Sequence, residues 1–293
     1  MANLKAIRNR IKSVQATRKI TSAMRLVAAA KVRRAQMRVQ ASRPFTAAVM
    51  KMLQEAVGES APVDLAEIPL LVTRPVKKVG IVVISSDRGL CGSYNPTVFR
   101  EVLQRIAQLN KEGKEVCLTL IGLKAVSFFK SIKVEKVKTY TLLPAIPSVQ
   151  EAKLIANEAA ELFISGKVDA VEIIGTKFIS MLASKVTNQK FLPVAVPPKI
   201  EGSILKPERL FEPSIMAVME KELIPKYIEN TVYQALLEAA AAELAARMQA
   251  MTNASNNARD LISSLSLVYN KARQASITQE LLEIVGGAEA LRG

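Results

Sequence analysis

The stretch of residues 236–282 constrains the fold of this chain more than any other. Apolar side chains recur along it in alternating steps of three and four residues, and neither Pro nor Gly interrupts the pattern. Twelve of the fourteen positions in this stripe are apolar: Leu237, Ala240, Leu244, Arg247, Met251, Ala254, Ala258, Leu261, Leu265, Val268, Ala272, Ala275, Gln279 and Leu282. Because a spacing of 3.5 residues keeps one helix face against a partner helix, the stripe predicts a coiled coil.

The N-terminal residues supply the partner helix. Four apolar residues repeat the same spacing: Leu4, Ile7, Ile11 and Val14. The stripe is then expected to slip by one residue to Ile20, Met24 and Val27, which changes the supercoil locally. Pro44 is expected to kink or interrupt this helix, because proline removes a backbone donor and clashes with the preceding turn. The two exceptions in the C-terminal stripe, Arg247 and Gln279, either specify the register of the helices or face something outside the pair.

Between the two helices the hydrophobic pattern changes to that of a sheet protein. Apolar runs of strand length at residues 79–84, 116–121, 170–174 and 194–196 alternate with predicted helices at residues 97–109, 124–131 and 149–164. Such alternation is typical of a mostly parallel sheet covered on both faces. The predicted fold class is therefore α/β, a long antiparallel coiled coil of the N- and C-terminal helices with an inserted Rossmann-like domain. The predicted domains are residues 1–58, 76–198 and 208–293, with proline-containing linkers between them.

Composition excludes several classes of function. The chain has 293 residues, no His and two Cys, and 49% of its residues are hydrophobic. Because His is the usual general base and the commonest metal ligand, we expect neither a metal site nor His-dependent catalysis. Cys91 and Cys117 lie in or beside apolar runs and are expected to be reduced, buried thiols. The apolar runs are too short to span a bilayer.

The net charge of +15 is concentrated at the N-terminus. No acid precedes Glu55. The first 43 residues contain twelve cations: Lys5, Arg8, Arg10, Lys12, Arg18, Lys19, Arg25, Lys31, Arg33, Arg34, Arg38 and Arg43. This predicts a basic surface for an acidic partner. A transit peptide has a similar composition, but the apolar pattern runs past residue 39 without a cleavage-like break, so we expect mature sequence.

The residues after the first predicted strand, 85–92, are where a doubly wound domain would bind phosphate. They contain neither of the glycine-rich phosphate-binding motifs, so we expect a tight turn that needs glycine at an unusual φ angle. Asn95 and Pro96 are expected to be the N-cap and first residue of the next helix. Cys91 has no His partner for nucleophilic catalysis. A dinucleotide-dependent enzyme nevertheless stays a third alternative.

Several segments resemble the gamma subunit of F-type ATP synthases. They are LKAIR at residues 4–8, TRKITSAM at 17–24, VAAAK at 27–31, SDRGLCG at 86–92, LVYN at 267–270 and RQASIT at 273–278. Together they cover both ends and the middle of the chain. The resemblance implies a rotor shaft that needs no cofactor and catalyses nothing itself. Its paired helices would lie inside a hexamer of alpha and beta subunits, and its α/β domain would touch the epsilon subunit and the ring of c subunits.

The resemblance also implies which residues make contacts and where the complex lies. Met24, Arg247, Gln274 and Thr278 fall where the family places contacts between rotor and stator. The basic face of Arg25, Lys31, Arg33 and Arg34 would meet an acidic loop of the beta subunit. The complex would lie on the cytoplasmic or stromal face of a bacterial plasma membrane or a thylakoid, and this chain would associate with that membrane only through its partners. Rotation would couple proton flow to ATP synthesis or hydrolysis at the beta subunits.

One departure and one alternative remain. The N-terminal segments resemble the photosynthetic branch most, whose gamma subunits usually carry an extra segment in the α/β domain, with a redox-active cysteine pair in chloroplasts. The segment of residues 191–210 is short and contains no cysteine, so thiol regulation is not expected. The alternative function is a basic coiled coil that binds nucleic acid through phosphates. Against it, only 4% of residues are aromatic and none lies among the first 43.

Overall fold

The computed structural model of the chain describes residues 4–60, 65, 67–195, 212 and 214–290. The chain divides into two compact units. The first unit contains the described residues up to Ala28 together with those from Arg247 onward, and the second unit contains those from Ala29 to Ala246. The predicted domain bounds follow secondary structure rather than this division, and they stay a prediction.

Two very long helices flank, in the sequence, a series of elements in which helices and strands mostly alternate. In chain order they are α1 (Leu4–Glu59), β1 (Lys78–Ile84), α2 (Tyr94–Lys111), β2 (Glu115–Ile121), α3 (Leu123–Phe129), β3 (Glu135–Tyr140), α4 (Val149–Ile164), β4 (Ala170–Phe178), β5 (Ser184–Leu192), α5 (Ile215–Val218), a π-helical turn (Met219–Leu223) and α6 (Ile224–Ala290). The predicted fold class is confirmed, and α4 has the predicted bounds.

The five strands form one sheet in the order β3-β2-β1-β4-β5, in which only β5 runs antiparallel to its neighbour. Six of the seven residues of β1 are buried because helices cover both faces of the sheet. On one face Val79, Ile81 and Val83 pack with α2 and α3. On the other face Val82 and Ile84 pack in a cluster that includes residues of α4, α1 and α6. The sheet is therefore the middle layer of the second unit.

The two edge strands were missed by the sequence prediction. β3 and β5 are mostly exposed, and their polar sequences EKVKTY and SKVTNQKFL lack the apolar run on which strand prediction depends. The strand predicted at residues 194–196 is wrong for Val194, which lies outside any strand and donates its N–H to the carbonyl of Leu70 at 2.9 Å. Residue 196 and the second predicted linker, apart from residue 212, lie outside the described residues.

Pro44 does not interrupt α1, so the predicted break at this proline is wrong, whereas the predicted kink stays a prediction. The helix runs through it for 56 residues. Pro44 and Gln40, whose carbonyl loses its usual donor, are both exposed, so water can hydrate that carbonyl. On the opposite side Val39 and Val49 are buried against the rest of the second unit. Packing of this buried face therefore holds the helix together despite the proline.

The predicted slip of the α1 stripe is also wrong. Ile20 is 61% exposed and Val27 is 56% exposed, so neither belongs to the buried face. The less exposed positions instead continue the original spacing through Thr21 and Ala28, both of which are buried. A small polar residue and an alanine therefore carry the stripe where the larger apolar residues had been expected to carry it. The prediction failed because it used hydrophobicity alone to choose which of two neighbouring residues faces inward.

The predicted stripe of α6 is confirmed over its first half. Leu237, Leu244, Met251 and Ala258 are buried. Beyond Ala258 the predicted positions 261, 268 and 275 are exposed. The half-buried residues are instead Ile262, Leu265, Ser266, Tyr269, Ala272 and Ser276. Residues 277–288 are exposed throughout, including the last predicted positions, Gln279 and Leu282.

Ser214 caps the helical run that leads into α6. The Ser214 hydroxyl accepts the N–H of Ala217 at 3.2 Å, at the start of α5. Pro225 is the second residue of α6, and its missing N–H falls inside the helical run that begins at α5, directly after the π-helical turn. The irregular backbone lies just before it, in the π-helical turn.

Candidate interaction surface

The basic residues of α1 form an exposed surface. Eleven of the twelve N-terminal cations are exposed, and Arg25 is half-buried. They are exposed because the heptad positions that face inward are taken by small and apolar residues. The predicted basic surface is therefore present along α1, on the parts of this helix in both units.

The predicted contact residues divide between the two units. Those in the first unit are Met24, Arg25, Arg247, Gln274 and Thr278, and those in the second are Lys31, Arg33 and Arg34. In the first unit Gln274 and Thr278 are exposed one helical turn apart, and the Thr278 hydroxyl donates to the Gln274 carbonyl at 3.0 Å. Met24, Arg25 and Arg247 are half-buried. In the second unit all three cations are exposed.

A polar network joins α1 to α6 in the second unit. Asn230 donates to the Thr46 hydroxyl at 2.5 Å, and Thr46 donates to the side-chain amide oxygen of Gln234 at 2.7 Å. Gln234 in turn donates to the Glu238 carboxylate at 3.2 Å, and Arg43 lies 3.5 Å from the same oxygen. Residue numbers rise along α1 as they fall along α6, so the helices are antiparallel here. The sequence prediction missed this network, although polar residues at steps of four on α6 were a signal for it.

An apolar cluster beside this network packs the helix pair, α1 and α6, against the sheet domain, which consists of β1–β5 and α2–α4. It contains Val32, Ala35, Val39, Cys91, Tyr94, Phe178, Leu237, Ala241, Ala242, Leu244 and Ala245. The Tyr94 hydroxyl donates to the Ala239 carbonyl at 3.2 Å. Burial raises the pKa of Tyr94 well above its ordinary value, so the phenol keeps the proton that it donates. Many small alanines here let the helices approach closely.

The loop after β1 is tied to its own domain and is not arranged to bind phosphate. Asp87 accepts the N–H groups of Leu123 and Leu142 at 2.9 and 3.1 Å. Gly92 has a φ of 60°, as the tight-turn prediction requires, but the second residue of this kind is Leu90, with a φ of 63°, rather than Gly89. The loop places Cys91 in the apolar cluster against the helix pair. The geometry of this loop therefore serves to pack it against the helix pair.

Asn95 is not the N-cap of α2, contrary to the prediction. The helix begins at Tyr94, two residues before the predicted first residue Pro96, and its N-cap is Ser93, so Asn95 lies buried in the first turn. Its side chain accepts the Ser86 N–H at 3.1 Å and donates to Cys91 Sγ at 3.3 Å. The amide therefore closes the loop after β1 instead of capping a helix.

Glu172 and Arg105 form a buried ion pair that sequence reasoning also missed. Arg105 donates to the two Glu172 carboxylate oxygens at 2.8 and 2.5 Å, and Asn188 adds a hydrogen bond at 2.7 Å. Burial raises the pKa of Glu172, but the hydrogen bonds from Arg105 and Asn188 outweigh burial, so the pKa lies below its ordinary value. Together with Asn188 the pair joins α2 to β4 and β5.

Both cysteines are buried thiols outside any disulfide, as predicted. Burial raises the pKa of the Cys117 thiol to about 11, so it stays protonated at neutral pH. Across the described ranges, no group of His, Cys, Asp and Glu is arranged to hold a metal ion. Within the same ranges, no helix is long and apolar enough to cross a membrane.

Comparison with known proteins gives a match along almost the whole chain. The family model described as ATP synthase matches residues 3–291. The ATP synthase gamma chains of Synechococcus sp. strain PCC 6716 and Thermosynechococcus vestitus are each 46% identical to it over 318 aligned positions, covering all of both chains. Because this chain has 293 residues, the alignments contain about 25 positions that it lacks.

Solved structures share the fold. A chain from the central stalk and c-ring of the Tetrahymena thermophila mitochondrial ATP synthase aligns with a TM-score of 0.60 and 26% identity, over 80% of this chain and 99% of that one. A chain from the Euglena gracilis mitochondrial ATP synthase, in its OSCP/F1/c-ring assembly, aligns with a TM-score of 0.65 over 98% of this chain and 94% of that one. At 18% identity the second likeness concerns the fold alone.

Proposed function

Since the chain belongs to the gamma-subunit family of ATP synthases, we propose that it is the rotor shaft that couples proton flow to ATP synthesis and hydrolysis. It is a subunit of the complex and not the catalytic protein of that complex. The observation that carries the proposal is the match to gamma chains over the full length, on a fold whose two terminal helices are long and antiparallel where they pair in the second unit.

The helix pair is suited to transmit torque because its two members are fastened together in the second unit. The polar network from Asn230 to Arg43 resists sliding of α1 along α6, since each hydrogen bond fixes one axial position. The apolar cluster beside it fastens the pair to the sheet domain. Force applied to the sheet domain of the second unit would therefore turn both helices together.

The outer surface of α1 is suited to turning rather than to permanent attachment. An exposed ion pair contributes only about 0–1 kcal/mol, so one bridge with a stator could neither hold nor drive a shaft. The exposed cations of α1 would instead form many weak and interchangeable pairs with acidic groups around it. In this proposal Arg25, Lys31, Arg33 and Arg34 meet an acidic loop of the beta subunit, and Met24, Arg247, Gln274 and Thr278 make the other contacts with the stator.

The proposed partners follow from this role. Alpha and beta subunits would form a hexamer around the terminal helices, and the epsilon subunit and the ring of c subunits would contact the sheet domain. The chain would lie on the cytoplasmic or stromal face of an energy-transducing membrane and associate with it only through the complex. One solved relative supports the proposed contact with the ring of c subunits, because it is described as central stalk with c-ring.

Reconstitution with alpha, beta and epsilon subunits tests the proposal. The chain should co-purify with them and give ATP hydrolysis that drives proton pumping once the membrane part is added. Reversing Arg25, Lys31, Arg33 and Arg34 to Glu should lower coupled turnover at least severalfold, because attraction becomes repulsion at each contact. The matched control reverses four exposed lysines of the sheet domain: Lys111, Lys130, Lys133 and Lys136. Equal turnover for the two quadruple variants would contradict the contact assignment.

A basic coiled coil that binds nucleic acid is the second candidate, and the exposed cations of α1 are the observation that favours it. Neutralising phosphates would make such binding strongly dependent on salt. Tight, salt-sensitive binding of duplex DNA by the isolated chain, with no affinity for alpha and beta subunits, would support this candidate and overturn the first.

A further inference from the structure

The turn between β4 and β5 carries an exposed apolar tip. Ile179, Met181 and Leu182 are 61%, 51% and 86% exposed, and Leu182 is the most exposed large apolar side chain among the described residues. Single exposed apolar residues are ordinary on protein surfaces. Three of them within four consecutive residues at the end of a hairpin form a small apolar projection, which is a common feature of interaction sites.

Hydrogen bonds hold this tip in one conformation. The N–H groups of Ile179 and Ser180 donate to the Ala183 carbonyl at 3.2 and 2.9 Å. The Ser180 hydroxyl oxygen accepts the N–H groups of Leu182 and Ala183 at 3.3 and 3.1 Å. Behind the tip Phe178 is buried in the apolar cluster with the helix pair. Because the tip is already ordered, a partner that binds it loses little conformational entropy.

Lysines stand on both strands just behind the tip. Lys177 of β4 and Lys185 of β5 are directly opposite each other in the antiparallel ladder, and both are exposed. Like charges at opposed positions destabilise a strand pair. No Asp or Glu occurs between Ile173 and Leu192 to relieve the repulsion within the hairpin. An acidic partner would relieve it, so the charge pattern suits binding to carboxylates.

We propose that the β4–β5 tip is a docking element that inserts Met181 and Leu182 into an apolar recess, rimmed by carboxylates, on another protein subunit. This proposal rests on the proposed function only in that the subunit belongs to the same complex. An anionic membrane has the same charge preference, but stable membrane attachment takes a larger apolar area than three side chains provide, or a second anchoring signal. The compact and rigid tip fits a protein recess.

Photo-cross-linking in the assembled complex tests the docking site. The chain carries benzoylphenylalanine in place of Leu182, and in a control in place of Leu154, a 65% exposed leucine on α4. The probe at position 182 should cross-link to a segment of another subunit that contains two or more Asp or Glu residues within a few positions. Cross-links confined to lipid, or to this chain itself, would overturn the proposal, as would the same cross-links from position 154.

Charge reversal separates specific docking from chance proximity. Lys177→Glu together with Lys185→Glu should lower the cross-link yield at position 182 at least fivefold, because the carboxylates of the partner then repel the tip. The control, Lys130→Glu with Lys133→Glu, changes two exposed lysines beyond α3 and should leave the yield unchanged. An equal effect of both pairs would overturn the proposal. A chain that never joins the complex would refute the proposed function itself, whereas an assembled complex with an unlinked tip would refute only the docking site.

Discussion

At the scale of single residues, the second unit depends on a few buried polar groups. Glu172 is buried in the sheet, and its charge is tolerated because Arg105 and Asn188 surround the carboxylate. The network on α6 follows the same rule, since Glu238 is buried and is paired with Arg43 and Gln234. Removing one member of such a set leaves a buried polar or charged group without a partner. This lowers the free energy of unfolding by more than the interaction itself contributes.

Arg105→Leu is therefore expected to lower the free energy of unfolding by about 3 kcal/mol at pH 7. Arg100→Leu, at an exposed position on the same helix, should change it by less than about 0.5 kcal/mol. Urea unfolding of the two variants measures the difference. If the two substitutions cost the same, the buried pair does not stabilise the domain.

The pH dependence of Arg105→Leu follows from the pKa of Glu172. In the unchanged chain this pKa is lowered, so its contribution to stability is present above the unfolded value of about 4.3 and is lost as the pH falls through the folded value. Without Arg105, burial raises the pKa, so the variant becomes relatively more stable on acidification. The difference between the two chains should shrink from pH 7 toward pH 4, and a constant difference would contradict this account.

At the scale of the elements, hydrophobic periodicity predicted most of the strands and helices that are buried along their whole length. The buried strands β1, β2 and β4 and the helix α4 carry uniform apolar patterns and were found from the sequence. The edge strands β3 and β5 were missed because neither is buried on both faces. The stripes of α1 and α6 were misplaced where neighbouring positions are similar in hydrophobicity, because which of them faces inward depends on packing between helices. The polar network joining α1 to α6 depends on which residues meet across the pair, which one sequence does not reveal.

The corrected stripe of α6 gives a direct test. Ile262→Ala is expected to cost about 1 kcal/mol, because Ile262 is half-buried where the prediction from periodicity placed Leu261. Leu261→Ala, its exposed neighbour, should cost less than about 0.5 kcal/mol. Thermal unfolding followed by the helical circular dichroism signal distinguishes them. The reverse order of effects would restore the original stripe.

At the scale of the whole molecule, the family assignment and the contacts of the second unit support one account. In the second unit the terminal helices are joined by a polar network and an apolar cluster, and most cations of α1 are exposed. This arrangement suits a shaft that is rigid within itself and only weakly attached to what surrounds it. The polar network and the apolar cluster contain none of the residues that are proposed to contact the stator.

Rotation of the chain inside an immobilised hexamer of alpha and beta subunits tests this account most directly. A bead is attached through Leu154→Cys on the exposed face of α4, and a second chain also carries Thr46→Cys and Gln234→Cys, whose side chains are in contact across the helix pair. We predict that ATP drives continuous rotation in one direction, and that a disulfide between positions 46 and 234 leaves the rotation unchanged because α1 and α6 turn as one body. A bead that stays fixed while the hexamer hydrolyses ATP, or rotation that stops when the two helices are cross-linked, would contradict it.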